Sequence, residues 1–328
     1  MLKIGVIGCG TVSSYGHLPT ITASNNWELA AVVDQSEARL EMVREKYGAI
    51  PTFTNYKDML QSVALDAVTV ATHIDTHSQM TCDALQQNLH VLCEKPMAKT
   101  LNECQRMVDV AQEKNRLLAI NFNTRSGSIY REIKRIIDTG DLGTLRVIRI
   151  VFDWSCHQWQ PPERLEAFMN EGGPIIDSAV HFFEGARWFS GEEFVHIDAH
   201  GVSLEPYEAP QHAISTCTMT GNVIALIEAG WLYCKRTKDQ AALFRIDVIG
   251  DNGTVSYDSP PGVLRLYTKE TTEERPFTDL SKHFETVYDL FAQSVHKGEL
   301  VELASGYDGL KATEAAFQAL NSAKRKFV

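Results

Sequence analysis

Several things are missing from this sequence, and each absence removes a class of function. There is no Cys-x-x-Cys: the seven cysteines (Cys9, Cys82, Cys93, Cys104, Cys156, Cys217 and Cys234) are odd in number and scattered. That spacing fits neither a thiolate zinc site nor a disulfide framework, and it points to a reducing compartment. Positive charge is in deficit, with 31 Lys and Arg against 42 Asp and Glu and a formal charge of −11. A nucleic-acid or anionic-membrane surface is therefore not expected. No apolar run approaches the roughly 20 residues of a membrane-spanning helix, and there is no repeat or low-complexity tract. Met1-Leu2-Lys3-Ile4 runs directly into strand-like sequence with no signal-like segment, so the expectation is a cytoplasmic protein. Cys156 and His157 are neighbours without further ligand spacing, and no metal site is expected.

What is present is the composition of an ordinary globular chain, 44% apolar and 22% charged over 328 residues, long enough for about two domains. Up to about residue 119, short apolar runs alternate with amphipathic stretches, the grammar of βα units and a parallel sheet. Strands are expected at Ile4–Ile7, Leu29–Val33, Ala67–Ala71, His90–Cys93 and Leu117–Asn121. Helices are expected at Glu37–Tyr47, Tyr56–Gln61, His77–Gln87 and Leu101–Lys114. After Asn121 the pattern changes to a helix at Ser128–Asp138 and then runs of alternating residues separated by Thr220-Gly221-Asn222 and Asp251-Asn252-Gly253. This half reads as a mostly antiparallel sheet with helices at 174–189, 281–297 and 304–324. The expected fold class is α/β: a doubly wound parallel sheet over 1–122, then an α+β domain on a large open sheet over 123–328.

The first strand ends in Gly8-Cys9-Gly10-Thr11-Val12-Ser13. Gly8 permits a tight turn, Gly10 allows backbone to approach a pyrophosphate, and the following helix N-terminus at Thr11 and Val12 favours the anion. Ser13 stands where the usual fingerprint has a third glycine, which predicts a slightly wider gap between helix and strand. Asp34 lies just past the second strand, at the distance where a carboxylate accepts the adenosine ribose hydroxyls. It would repel a 2′-phosphate, and Gln35 and Ser36 offer no arginine, so NAD is expected rather than NADP. Thr72, His73 and His77 follow the Val68-Thr69-Val70-Ala71 strand, at the carboxyl edge where ligands of such sheets sit.

Two further segments carry chemistry. In His90-Val91-Leu92-Cys93-Glu94-Lys95-Pro96 an apolar strand runs straight into Glu94 and Lys95. Such residues seldom end a buried strand unless paired or in use, and Pro96 biases the backbone that aims the ammonium. A desolvated lysine also suits proton transfer. In Gly172-Gly173-Pro174-Ile175-Ile176-Asp177-Ser178-Ala179-Val180-His181, Asp177 and His181 are four apart on an otherwise oily helix. Either they form a buried structural pair, or the imidazole moves a proton while the carboxylate orients it.

Gly8-x-Gly10, Glu94-Lys95-Pro96 and Gly172-Gly173-x-x-x-Asp177-x-x-x-His181, in this order, resemble the glucose-fructose oxidoreductase/inositol dehydrogenase (Gfo/Idh/MocA) family over essentially the whole chain. The resemblance implies NAD(P)-dependent redox chemistry on a sugar, inositol or related polyol, and homodimers or homotetramers built through the C-terminal sheet. It implies that Lys95 lies near nicotinamide and substrate hydroxyl, that Asp177 is the substrate-site acid and that His181 transfers the proton. It also implies that Asn121-Phe122-Asn123-Thr124-Arg125 passes beside the nicotinamide, with Asn123 at the cofactor and Arg125 at the substrate. Glu94 is expected at the cofactor as well. The departures are Ser13 and His73, the latter standing where many members have proline.

Trp154, Cys156, His157, Trp159 and Arg164 read equally as a lip over a sugar pocket, with Trp154 touching substrate, or as a loop anchored by tryptophans. Lys235-Arg236-Thr237-Lys238 reads as a solvated loop, and His196 and His200 as surface or interface residues. Two other functions compete with a dehydrogenase. A glycosidase of the same family would recycle NAD with net hydrolysis. A sensor without turnover would have lost Lys95, Asp177 and His181, all of which are present.

Overall fold

The computed structural model describes residues 1–154, 161–239 and 241–325, the side chains of Asn123 and Arg325 excepted. The chain divides into two compact units, Met1–Gly127 with Lys282–Lys311, and Ser128–Ser281 with Ala312–Val328.

The first unit is built on β1 (Leu2–Ile7), β2 (Trp27–Val33), β3 (Thr52–Phe53), β4 (Ala67–Val70), β5 (His90–Glu94) and β6 (Leu118–Asn121). They run parallel in the order β6-β5-β4-β1-β2-β3. The order reverses at β1 and β4, and the carboxyl ends of these strands form the crevice in which such sheets hold ligands. Both faces are covered, so the inner strands are apolar on both sides: Ile4, Val6, Ala67, Val68 and Val91 are fully buried. The helices are α1 (Leu18–Ala23), α2 (Glu37–Tyr47), α3 (Tyr56–Ser62), α4 (Ile74–Gln86), α5 (Leu101–Lys114) and the short α6 (Asn123–Ser126). Their limits follow local chemistry. The Asn55 side chain accepts from the Lys57 amide at 3.0 Å to open α3, and Thr100 accepts from the Glu103 amide at 3.2 Å to open α5. Asn115, at φ +49°, closes α5.

In the second unit, α7 (Ser128–Asp138) precedes β7 (Leu145–Trp154), and α8 (Pro162–Glu171) and α9 (Val180–Ser190) follow. Then come β8 (Phe194–Val202), β9 (His212–Met219), β10 (Ile224–Gly230), β11 (Ala242–Gly250), β12 (Gly253–Ser259), β13 (Val263–Thr268) and β14 (Thr272–Pro276). The eight strands lie in the order β14-β13-β12-β11-β7-β10-β9-β8, and only the β7/β10 pair is parallel. One face of the sheet is an apolar core of Ile148, Ile150, Ala213, Cys217, Ala225, Ile227, Ile246 and Val248. The segment that carries Asp177 and His181 packs on this face, as the sequence predicts for that helix. The opposite face carries a cross-strand ladder of charge, Arg149–Asp247–Arg245–Asp258–Arg265–Glu274, beside the exposed Ile214, Ile224 and Tyr267.

The predicted mixed architecture is present, with three local differences. Pro162–Glu171, expected within a loop, is helical because Pro162 occupies the first helical position, where its missing N–H costs nothing. The helix expected over 174–189 opens with a wide π turn at Ile175–Ala179. The strands β8, β12 and β14 complete a larger sheet than the alternating runs alone indicate; β14 is exposed throughout and so has no apolar alternation to read.

The chain then returns to the first unit through α10 (Phe284–Lys297) and the start of α11 (Gly306–Arg325). A boundary at residues 122/123 does not contain this return. Its cause is aromatic packing: the Trp27 indole stacks on Phe291 at 5.4 Å and donates its N–H to the Tyr288 carbonyl at 2.8 Å. A two-residue strand, Ala304–Ser305, adds to the edge of β6 in the antiparallel sense.

Candidate active site

The glycine turn has the shape its sequence predicts. Gly8 adopts φ +100°, and a Cβ there would lie 2.5 Å from the Ala71 carbonyl oxygen, so no other residue fits. A Cβ on Gly10 would meet nothing within 4 Å. The space above this turn is open, as a dinucleotide pyrophosphate requires. Ser13 is fully buried, and its hydroxyl donates to the Gly8 carbonyl at 2.5 Å. The helix absorbs it through a π turn over Ser13–His17.

Asp34 is 8% exposed and anchored to the turn: Oδ2 accepts the Cys9 amide at 2.9 Å, and Oδ1 accepts the Ser36 amide at 2.8 Å. Each oxygen keeps acceptor capacity for a ribose hydroxyl. Burial and the nearby Asp34 push the Cys9 thiol up to about 12, so it is no nucleophile. Arg39, on the first turn of α2, places Nη1 3.4 Å from Asp34 Oδ2 with its side chain largely exposed. Arg39 lies beyond the two positions after Asp34, and spacing alone does not bring it to the carboxylate.

At the carboxyl ends of β4 and β5 one buried ring joins two loops. His77 puts Nδ1 2.9 Å from the Pro96 carbonyl and Nε2 3.2 Å from the Thr72 carbonyl. Burial lowers its pKa, outweighing those two carbonyls. Thr72 accepts from the Thr76 hydroxyl at 2.8 Å, and the exposed His73 lies 3.7 Å from Asp75. Glu94 is 8% exposed: Oε1 faces His17 Nε2 at 3.0 Å and Asn121 Nδ2 at 2.6 Å, and Oε2 accepts the Lys95 amide at 3.2 Å. Burial would raise this carboxyl, but His17, Asn121 and the Lys95 charge hold it below its ordinary value. The Lys95–Pro96 peptide is cis. Arg125 reaches the Leu303 carbonyl at 3.4 Å and Asp308 at 3.7 Å, which ties α6 to the returning C-terminal segment. The side chain of Asn123 lies outside the described residues.

In the second unit, every residue from Gly172 to Arg187 is buried except Asp177 and His181. The turn before them is set by Gly172 and Gly173, at φ +124° and +59°. Ser178 donates to Asp177 Oδ2 at 3.2 Å. Trp154 ends β7 with its ring 6.0 Å from Phe152, which in turn meets Phe182 of α9. Trp154 is therefore on the sheet face that the Asp177 segment covers. Cys156, His157 and Trp159 lie outside the described residues. The basic run at 235–238 is not wholly solvated, because Lys235 is 7% exposed and paired with Glu205, with Arg236 alongside. His196 and His200 are exposed.

Two clusters escaped the sequence reading. One is the set His17, Tyr288 and Thr69 behind Glu94: His17 Nδ1 lies 2.8 Å from the Tyr288 hydroxyl, which lies 2.9 Å from Thr69 Oγ1. The other is His212, 2.9 Å from Asp153 and 3.0 Å from Glu228. Sequence gives little sign of either, since His17 and Tyr288 are 271 residues apart.

Comparison with known proteins matches residues 2–122 to the model "Oxidoreductase family, NAD-binding Rossmann fold" and residues 130–256 to the model "GFO/IDH/MocA C-terminal domain". A myo-inositol 2-dehydrogenase of Thermotoga maritima is 26% identical, over 99% of this chain and 97% of that protein. An inositol 2-dehydrogenase of Saccharopolyspora erythraea is 27% identical, over 98% and 93%. Among solved structures, an oxidoreductase from Agrobacterium radiobacter in complex with NAD+, L-tartaric acid and magnesium superposes with a TM-score of 0.85 at 19% identity, over 98% of this chain and 96% of that one.

Proposed function

The chain belongs to the Gfo/Idh/MocA family of oxidoreductases, with that family's NAD-binding Rossmann fold as its first unit, and on that premise we propose that it transfers hydride between NAD and a hydroxyl carbon of a sugar, inositol or related polyol. The observation that carries this reading is the exposure pattern of Gly172–Arg187, in which a wholly buried segment opens only at a carboxylate and an imidazole. A structural Asp-His pair has no need of that opening; a pair that meets a ligand does.

The residues then have separate tasks. NAD, when bound, supplies the acceptor for the hydride. The open cradle over Gly10, with Thr11 and Val12 at the helix start, holds the pyrophosphate, and Asp34 takes the ribose hydroxyls, which favours NAD over NADP. His181 removes the hydroxyl proton at an imidazole nitrogen and returns it in the reverse direction. Asp177 orients that ring or the substrate, and the Lys95 ammonium stabilises the developing alkoxide. Arg125 and Trp154 are assigned to the substrate, and Thr72, His73, His77, Glu94 and Asn123 to the cofactor side. Two relatives named as inositol dehydrogenases support a polyol substrate.

Cys9, Cys82, Cys93 and Cys217 are buried free thiols, and no described helix is long and apolar enough to cross a membrane. The free thiols support a reducing compartment, the cytoplasm. Ile214 and Ile224, 41% and 53% exposed on one sheet face, support assembly through that face as a dimer or tetramer.

The test is NADH absorbance formed from NAD and a panel of sugars, inositols and sugar acids at mildly alkaline pH. One compound should give signal, and His181→Ala and Lys95→Ala should each lower turnover by about 100-fold or more while NAD affinity stays nearly intact. Full activity in both variants would remove these residues from the mechanism. Net hydrolysis of a glycoside without accumulating NADH would replace the dehydrogenase with a glycosidase.

A further inference from the structure

In the buried cluster behind Lys95, only Glu94 has a role assigned above. The cluster is a continuous line of side chains: Thr69 of β4, Tyr288 of α10, His17 of the π turn, Glu94 at the end of β5 and Asn121 at the end of β6. Thr69, His17 and Tyr288 are fully buried, and Asn121 is 2% exposed. We propose that His17 and Tyr288 are positioning residues for Lys95, which they reach through Glu94; this rests on Lys95 being the lysine of the reaction proposed above.

Glu94, held ionised, only accepts, so His17 carries its hydrogen on Nε2. Nδ1 of the same ring lies 2.8 Å from the Tyr288 hydroxyl, which extends the line away from Glu94. Burial pushes the Tyr288 phenol up, so it keeps its hydrogen. The phenol oxygen also lies 2.9 Å from Thr69 Oγ1. Besides these groups, the charges and titratable side chains felt at Glu94 are Lys95, His77 and Cys93.

The line ends at Thr69 in the sheet interior, so it offers no exit for a proton. Its effect is on geometry. Glu94 Oε2 holds the Lys95 amide, while His77 holds the Pro96 carbonyl. The backbone on both sides of Lys95 is thus pinned by a buried imidazole, one directly and one through a carboxylate. A buried carboxylate carries a desolvation penalty and is a poor choice for packing alone. Beside Lys95 it fixes the strand end and keeps a negative charge next to the ammonium. The π turn makes the arrangement possible, because it delivers His17 to Glu94 while the helix start still serves the glycine turn.

The experiment compares wild type with His17→Leu, His17→Gln and Tyr288→Phe by two readouts. The first is competitive acetylation of Lys95 by trace acetic anhydride, measured by peptide mass spectrometry against the exposed Lys3. The second is the split between kcat and KM with the best polyol, with NAD affinity measured separately. In His17→Leu, Lys95 should acetylate about threefold faster or more, and kcat should fall by about tenfold or more, with KM and NAD affinity within about twofold. His17→Gln retains an N–H near the Nε2 position and should restore both values most of the way. Tyr288→Phe, which keeps the ring and its packing, should shift both in the same direction and carries the test if His17→Leu does not fold. Unchanged Lys95 labelling in both His17→Leu and Tyr288→Phe overturns the proposal, as does a defect confined to NAD affinity that glutamine fails to rescue. If the wild type turns over no polyol, the functional reading fails, and Lys95 labelling still decides the positioning role.

Discussion

Asp34 and Arg39 show how far a single residue can be read. The distance from the glycine turn to Asp34 is legible in the sequence because strand length fixes it. Arg39 is not, since its approach to 3.4 Å depends on α2 turning back toward the carboxylate. Two consequences follow from the pair. Asp34→Ala removes the acceptors for the ribose hydroxyls and frees Arg39 to meet a 2′-phosphate. NAD should weaken by about tenfold or more, and the preference over NADP should shrink or reverse in a fluorescence titration of both reduced cofactors. An unchanged preference would sink the ribose assignment. His17 and Tyr288 mark the other limit: the histidine has no visible partner until α10 packs against α1 and Tyr288 reaches Thr69 of β4.

Elements with strong local signals were read to the residue. The helix α5 has Thr100 to start it and Asn115 to stop it, and β7 alternates from Leu145 to Trp154. The π turns and α8 were not legible: a π turn has no sequence signature of its own, and Pro161-Pro162 reads as a loop. A tie between elements was also invisible. His212, the first residue of β9, reaches over β10 at Gly230 to Asp153 of β7, and a Cβ on Gly230 would lie 2.1 Å from the ring. Burial alone would lower the His212 pKa, but Asp153 and Glu228 outweigh it and raise it to about 9. The folded value lies above the ordinary one of 6.5. The tie is therefore fully present below pH about 6.5 and lost as pH rises toward about 9, a difference of roughly 3 kcal/mol. Urea unfolding should show stability falling over that window, with the slope largely absent in His212→Leu. A wild type whose stability is flat from pH 6.5 to 9.5 would count against a charged His212.

At the scale of the whole chain, the two sheets were foreseen because their grammars differ: continuous apolar runs in β1 and β4, alternation in β7 and β9. The return of Lys282–Lys311 to the first unit was not, because α10 resembles any amphipathic helix and only Trp27 distinguishes its destination. The open face of the second sheet belongs to this scale as well. Ile214 and Ile224 stand exposed beside the charge ladder, a pattern that suits contact with a second copy. The double substitution Ile214→Lys and Ile224→Lys should halve the mass or more in light scattering after size exclusion, with the fold intact by circular dichroism. A wild type that elutes as a monomer would contradict the proposed assembly.

The helix after the glycine turn and the helix carrying Asp177 and His181 each contain a π turn, Ser13–His17 and Ile175–Ala179. A π turn acts on a helix as a phase shifter. Each residue advances by less than the 100° or so of an α-helix, so five residues at the wider pitch leave the following azimuths lagging by roughly a quarter turn. One rod can then satisfy two partners whose directions an α-helix could not serve together: a phosphate at its tip and a carboxylate in the sheet behind it. Loss of one residue from either turn would reset that phase without changing any other side chain, leaving a chain with every motif present and the residues beyond that turn wrongly aimed.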